Sequence, residues 1–158
     1  TRRMNMNSMK AIKIEPVRKE LKVRLTKEAA FKLFTAEIGT WWPLPSHSVG
    51  GDDAQTCYFE GRAGGRIYEV MSDGREAEWG RVVTWEPYDR VVFTWYPGRT
   101  PDSAQEVTVT FSDFPGGTRV ELVHVGWEIR GADAQTDRDG YDMGWDFVLS
   151  NYVIAAGA

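Results

Sequence analysis

From Gln55 to Glu128 the chain offers one strand after another, joined by turns too short for any crossover, and a single long amphipathic helix follows. Short connections make sequence neighbours pair antiparallel as a meander. The strands read as Thr56 to Glu60, Arg66 to Met71, Glu76 to Glu86, Arg90 to Tyr96, Glu106 to Phe114 and Thr118 to Glu128. Ser72-Asp73-Gly74, Pro87-Tyr88-Asp89 and Pro115-Gly116-Gly117 supply the turns between them. A chain with this pattern must place one face of a single sheet against something. The only element long enough to cover it is the last one, where Tyr141, Trp145, Val148, Leu149, Tyr152 and Ala156 recur on one helical face.

Ahead of the meander, Val17 to Leu25 alternates apolar and charged residues, the period-two mark of a half-buried strand. Thr26 then caps a helix running to about Thr35, with Ala29, Ala30, Leu33 and Phe34 as its apolar stripe. Glu37-Ile38-Gly39 adds a second short helical turn, and Trp41-Trp42-Pro43-Leu44-Pro45 ends it, because proline disfavours a helical residue before it. The expected fold is α+β: a curved antiparallel sheet of about seven strands wrapped around a long C-terminal helix, with two short helices between the first and second strands. Twisted sheets curl, and a curled sheet gripping one helix leaves a gap that is a natural pocket. Residues 1–14 read as a flexible leader and 15–158 as one domain, the size expected of a single unit.

Composition narrows the function. The net charge of −4 argues against binding phosphate backbones or anionic membranes. No apolar run approaches the ~18 residues of a bilayer span, no secretory signal is visible, and one cysteine, Cys57, cannot form an intrachain disulfide. The expected compartment is the cytoplasm. Seven Trp, six Tyr and seven Phe make aromatic residues 13% of the chain. Rings in that number fill cores, and they also line pockets for apolar ligands.

Alternation picks out the residues facing the gap. Val120, Leu122 and His124 share a face opposite Arg119 and Glu121; Val107, Val109 and Phe111 share one, as do Val91, Phe93 and Trp95. In Arg66 to Met71 the inward set is Ile67, Glu69 and Met71, with Arg66, Tyr68 and Val70 as the alternative. Glu69 and His124 are then the two inward ionisable groups, and a carboxylate in apolar surroundings needs a partner. They read either as a polar handle or acid/base pair in a greasy pocket, or as a structural hydrogen bond in a core. Trp41 and Trp42 read as a cavity rim or partner surface, or as one ring packed on the sheet edge with the other half exposed.

Other motifs lead away from familiar chemistry. Gly61-Arg62-Ala63-Gly64-Gly65 lacks GxGxxG spacing and precedes a strand. Gln135 to Asp146 mimics a calcium loop but starts on Gln135 and ends on Asp146, where Glu is expected, and the same residues fit the amphipathic helix. Cys57, His47 and His124 are too scattered for zinc. Ser46-His47-Ser48 reads as a rim loop and Cys57 as a small strand residue. No metal or cofactor is expected.

Several stretches nevertheless resemble a known family: Phe34-Thr35-Ala36-Glu37-Ile38-Gly39-Thr40-Trp41-Trp42-Pro43, Gly64-Gly65-Arg66-Ile67-Tyr68-Glu69, Trp79-Gly80-Arg81-Val82-Val83-Thr84-Trp85-Glu86-Pro87 and Val92-Phe93-Thr94-Trp95. Gly117 to Leu122, His124 to Glu128, Gly144-Trp145 and Val148-Leu149 extend the likeness over about residues 17–156. These resemble the START-like (SRPBCC) superfamily with its helix-grip fold, and within it the branch named for activator of Hsp90 ATPase homologues. The resemblance implies a cavity between sheet and helix; relatives bind lipids, sterols, polyketides or plant hormones, some are cyclases or dehydratases, and eukaryotic namesakes stimulate a chaperone ATPase. The family has no universal catalytic set.

The leading expectation is a module binding a small hydrophobic or amphipathic ligand. Phe93, Trp95, Phe111, Leu122, Tyr141, Trp145 and Leu149 would form the walls, Glu69 and His124 the polar end, and Trp41 and Trp42 the rim. The alternatives are a cyclase or dehydratase using Glu69 or His124 as general base, and a co-chaperone docking through a patch around Trp41, Trp42 and Trp127. The co-chaperone ranks last. An edge strand or an exposed Trp pair would support a homodimer.

Overall fold

The computed structural model describes residues 13–157. The leader expected over residues 1–14 lies outside them apart from Lys13 and Ile14. In chain order the elements are β1 (Val17–Val23), α1 (Lys27–Phe34), a 3₁₀ turn (Ile38–Thr40), a second (Gly51–Asp53), β2 (Ala54–Phe59), β3 (Arg66–Met71), β4 (Glu76–Glu86), β5 (Arg90–Trp95), a third 3₁₀ turn (Pro101–Ser103), β6 (Gln105–Phe114), β7 (Gly117–Val125), a 3₁₀ stretch (Trp127–Asp133) and α2 (Ala134–Ala155). All strand pairs are antiparallel, in the order β1-β7-β6-β5-β4-β3-β2. This is an α+β helix-grip fold. The second of the two expected short helices is only a 3₁₀ turn, because Trp42-Pro43-Leu44-Pro45 cuts it off. The last strand stops at Val125, since Gly126 turns the chain with φ 95° into the 3₁₀ stretch.

Local chemistry explains the main elements. Thr26 accepts a hydrogen bond from the Ala29 N–H at 3.2 Å, which satisfies one of the free donors at the start of α1. Ala30, Phe31, Leu33 and Phe34 are its buried residues. The register of β4 slips twice, leaving Trp79 unopposed on β3 and Val83 unopposed on β5. An unopposed residue bends its strand and sharpens the twist, so β4 is where the sheet curls. Gly80, beside the first bulge, packs so tightly that an added Cβ would sit 1.8 Å from the Thr94 carbonyl oxygen.

Helix α2 lies against the concave face and is tied down along its length. Lys19 of β1 reaches Asp142 and Asp146, each at 2.8 Å. Arg138 donates to the carbonyls of Glu15 and Pro16 at 3.0 Å. Near the C-terminal end the Tyr152 hydroxyl donates to the Ala30 carbonyl at 2.8 Å. At that end α1 fills the space between helix and sheet: Phe31 meets Phe111 with ring centroids 5.1 Å apart, and Phe34 meets Tyr152 at 5.4 Å. Among the described residues no helix is long and apolar enough to cross a membrane.

Two glycines four residues apart, Gly140 and Gly144, interrupt the apolar face of α2 near its N-terminal half. A Cβ at Gly140 would meet nothing within 4 Å. Gly140→Ala is therefore expected to stabilise the protein by about 0.5–1 kcal/mol through helix propensity alone. Gly80→Ala is expected to destabilise it by about 1–3 kcal/mol through forced overpacking against backbone. Urea unfolding midpoints of the two variants should move in opposite directions.

Candidate functional site

A cavity of about 570 Å³ lies between the sheet and the N-terminal half of α2. Indoles dominate its walls: Trp42 from the segment after the first 3₁₀ turn, Trp79 and Trp95 from β4 and β5, and Trp145 from the helix, joined by Tyr141 and Val148. Trp42 stands 5.0 Å from Trp79, 5.8 Å from Trp95 and 6.0 Å from Trp145, centroid to centroid. Gly140 and Gly144 form part of the helix wall, and the space exists partly because neither carries a side chain. Ser46, His47, Ser48 and Val49 form the opposite lip, and Pro97, Gly98, Thr136 and Asp137 close the remaining side.

The structure brings four of the expected site residues to this cavity: Trp42, Trp95, Tyr141 and Trp145. Phe93, Phe111, Leu122, Leu149 and Trp41 belong to the packed core instead. Trp41 donates to the Leu33 carbonyl at 2.7 Å and packs against Phe34 and Tyr152. The half-exposed indole expected of the Trp41–Trp42 pair is absent: both are buried, as is Trp127, so these three form no exposed patch for a chaperone or a second copy. Alternation reports which side of a sheet a residue faces, not how far the opposing helix stands off, and α1 occupies the end where Phe111 lies.

Glu69 and His124 are both fully buried and neither lines the cavity. They are not partners of each other. Glu69 Oε1 accepts from the Val49 N–H at 2.7 Å and from Trp79 Nε1 at 2.5 Å, while Oε2 accepts from the Gly50 N–H at 2.8 Å. The carboxylate thus clamps the lip segment to the sheet and holds one wall indole. The lip is braced further by Trp42 Nε1, which donates to the His47 carbonyl at 2.7 Å, and by the Ser48 hydroxyl, which accepts from the Gly51 N–H at 2.8 Å.

His124 performs the matching task for the helix. Trp145 Nε1, which can only donate, gives its hydrogen to His124 Nδ1 at 3.0 Å. The remaining ring nitrogen therefore carries the hydrogen and donates from Nε2 to Gln105 Oε1 at 2.7 Å. Burial first, and the positive charge of Arg130 second, push the His124 pKa down to about 3. The ring is a neutral strut between sheet and helix. Cys57, whose thiol burial and then the Glu69 carboxylate push up to about 12, is protonated and unreactive.

The ionisable groups that do line the cavity are His47, Asp137 and Tyr141. Asp137 faces Arg130 at 3.4 Å and Arg99 at 3.9 Å. His47 stacks on Phe147 with centroids 5.1 Å apart, its Nδ1 lies 2.7 Å from Ser46 Oγ, and burial lowers its pKa. Sequence reasoning missed Trp79, which a bulge turns inward, and set His47 aside as a rim-loop residue. The two glycines inside an otherwise apolar helical face were the signal that could have located the space. The calcium-like stretch from Gln135 to Asp146 lies inside α2, and among the described residues no three His, Cys, Asp or Glu side chains gather as metal ligands would.

The architecture and its walled gap define the START-like, helix-grip class of protein. Residues 24–151 match the family described as Activator of Hsp90 ATPase homolog 1-like protein, and the chain belongs to that family. Solved structures bear this out at the level of fold. A protein from Nitrosomonas europaea superposes with a TM-score of 0.67 at 14% identity, covering 90% of this chain and 94% of that one. The Aha1 dimer from Colwellia psychrerythraea gives 0.64 at 17% identity, covering 90% and 96%. The anthrahydroquino-gamma-pyrone synthase Txn09 gives 0.58 but shares 37% identity, over 82% of this chain and 88% of that one. No curated protein matches the sequence.

Two outcomes follow from the clamps. Glu69→Gln puts an amide NH₂ where an acceptor oxygen stood, so a donor faces a donor; a loss of about 1–3 kcal/mol is expected, with faster amide exchange at Val49 and Gly50. For His124 the folded pKa lies below the unfolded value of about 6.5, so its contribution to stability is complete above that value and is lost as pH falls toward about 3. Between pH 7 and pH 5 the unfolded chain gains the proton and the native one does not, a loss on the order of 2 kcal/mol. Urea unfolding at the two pH values should show it, and His124→Gln should reduce it, leaving the smaller share of His47.

Proposed function

We propose that this protein binds a small apolar or amphipathic molecule in the cavity between sheet and helix. The observation that carries the reading is the indole-walled space of about 570 Å³, within the roughly 300–1,000 Å³ of small-molecule sites. Indole faces set at tilts to one another suit flat, unsaturated ligands better than saturated chains. The 37% identity to a synthase named for an anthrahydroquino-gamma-pyrone favours the same ligand class. In this reading the protein works in the cytoplasm, where a lone buried thiol such as Cys57 stays reduced.

The identity to that synthase also favours a second reading, an enzyme of the cyclase type. Glu69 and His124 are poor candidates for its acid and base, since a proton-transfer group must come within hydrogen-bond reach of its substrate and both sit behind the walls with their polar atoms engaged. A co-chaperone role rests on the family's name alone, and a homodimer on the Colwellia relative.

Titration with an apolar fluorophore, a fatty acid and a hydroxylated polycyclic quinone is expected to quench tryptophan emission, most strongly with the quinone. Gly144→Leu, which fills the space from the helix side, should abolish the quenching while the protein stays folded by circular dichroism. Unchanged emission with all three probes would sink the reading.

A further inference from the structure

His47 lines the cavity and, unlike Asp137, has no charged partner among the described residues. Nδ1 is engaged by Ser46 Oγ at 2.7 Å, and Nε2 has no hydrogen-bond partner among the described residues. That nitrogen lies close to the helix wall: a Cβ on Gly144 would stand 3.8 Å from Nε2. The ring cannot swing freely, because Phe147 stacks on it at an interplanar angle of 23° and its own carbonyl is held by Trp42 Nε1. When Nδ1–H donates to Ser46 Oγ, Nε2 presents a lone pair to the cavity. Burial holds the ring's pKa below its usual value, which keeps that lone pair available at neutral pH.

The cavity therefore offers a hydrogen-bond acceptor on its lip, with the indole faces of Trp42, Trp79, Trp95 and Trp145 around it.

Resting on the ligand-binding reading above, we propose that the cavity selects flat phenolic compounds, with His47 Nε2 accepting the hydrogen bond of the phenolic hydroxyl. His47 is thus the residue in contact with the ligand's acidic hydrogen, the position from which a proton would be taken in any reaction this site performs. Ser46 is a positioning residue, holding the ring at its Nδ1.

Alizarin is a suitable probe, since its visible band moves to the red as its hydroxyl gives up hydrogen. Bound to the unmodified protein at pH 5, where the free dye still keeps its hydroxyl hydrogen, it is expected to quench tryptophan and show a band shifted to the red of the free dye's. His47→Phe keeps a ring on Phe147 but removes the lone pair; it should abolish the shift and weaken binding about tenfold, the worth of one hydrogen bond. Ser46→Ala should give a smaller change in the same direction. Should His47→Phe fail to fold, Gly144→Ala carries the test from the helix side, where a methyl in front of Nε2 should reduce the shift. Quenching with the same band and affinity in wild type and variants would overturn this proposal and leave the ligand-binding reading standing. So would quenching by the fatty acid or fluorophore but not by alizarin. Silence toward every probe would remove both.

Discussion

Burying a polar side chain costs stability unless its hydrogen bonds are met, and this fold places two well-satisfied ones, Glu69 and His124, at the joints of its cavity. Each is saturated by groups from distant parts of the chain. Glu69 gathers two backbone amides of the lip and the indole of Trp79; His124 takes the indole of Trp145 and passes its own hydrogen to Gln105. Of the groups they hold, Val49, Trp79 and Trp145 line the cavity. Were either side chain apolar, the lip or the helix would be free to settle inward, and collapse of the gap would bury more hydrophobic surface. Polar saturation at the joints is what lets an apolar space stay unfilled.

The gap sits at one end of the grip for a related reason. At the C-terminal end of α2, Phe31 and Phe34 of α1 insert between helix and sheet, and Tyr152 locks the two helices together. Among the described residues no such insert lies at the other end; the connection from α1 to β2 crosses as a lip instead. The two bulges of β4 draw the sheet around this end and turn Trp79 inward, out of the simple alternation. Relatives between 14% and 19% identical keep this architecture, so it is set by patterning and curvature more than by particular side chains.

Much of this was legible in the sequence. The strand run, its antiparallel order, the cap at Thr26, and the inward faces of Phe93, Trp95, Phe111, Leu122 and His124 all follow from periods and turn residues. The inward choice for Glu69 over Tyr68 also holds, since Glu69 is fully buried. What could not be read was depth. Trp95 and Phe111 have the same parity, yet one borders open space and the other is packed behind α1. Partner identity was equally hidden: the amides that hold Glu69 lie about 20 residues away in a loop, and no period encodes them. His47 was discounted because a histidine between prolines and serines looks solvent-bound; the stack on Phe147 that draws it to the cavity is a tertiary contact.

The paired glycines of α2 have a consequence for how such a chamber can change over evolutionary time. Gly140 and Gly144 are one helical turn apart on the roof, and neither would strike backbone if it acquired a side chain. Each can be exchanged for alanine, serine or valine by altering one codon, leaving sheet, lip and tethers as they are. Guest size is thus governed by two positions that are nearly independent of folding, so a lineage can re-tailor what it accommodates in small steps without first destabilising the scaffold that accommodates it.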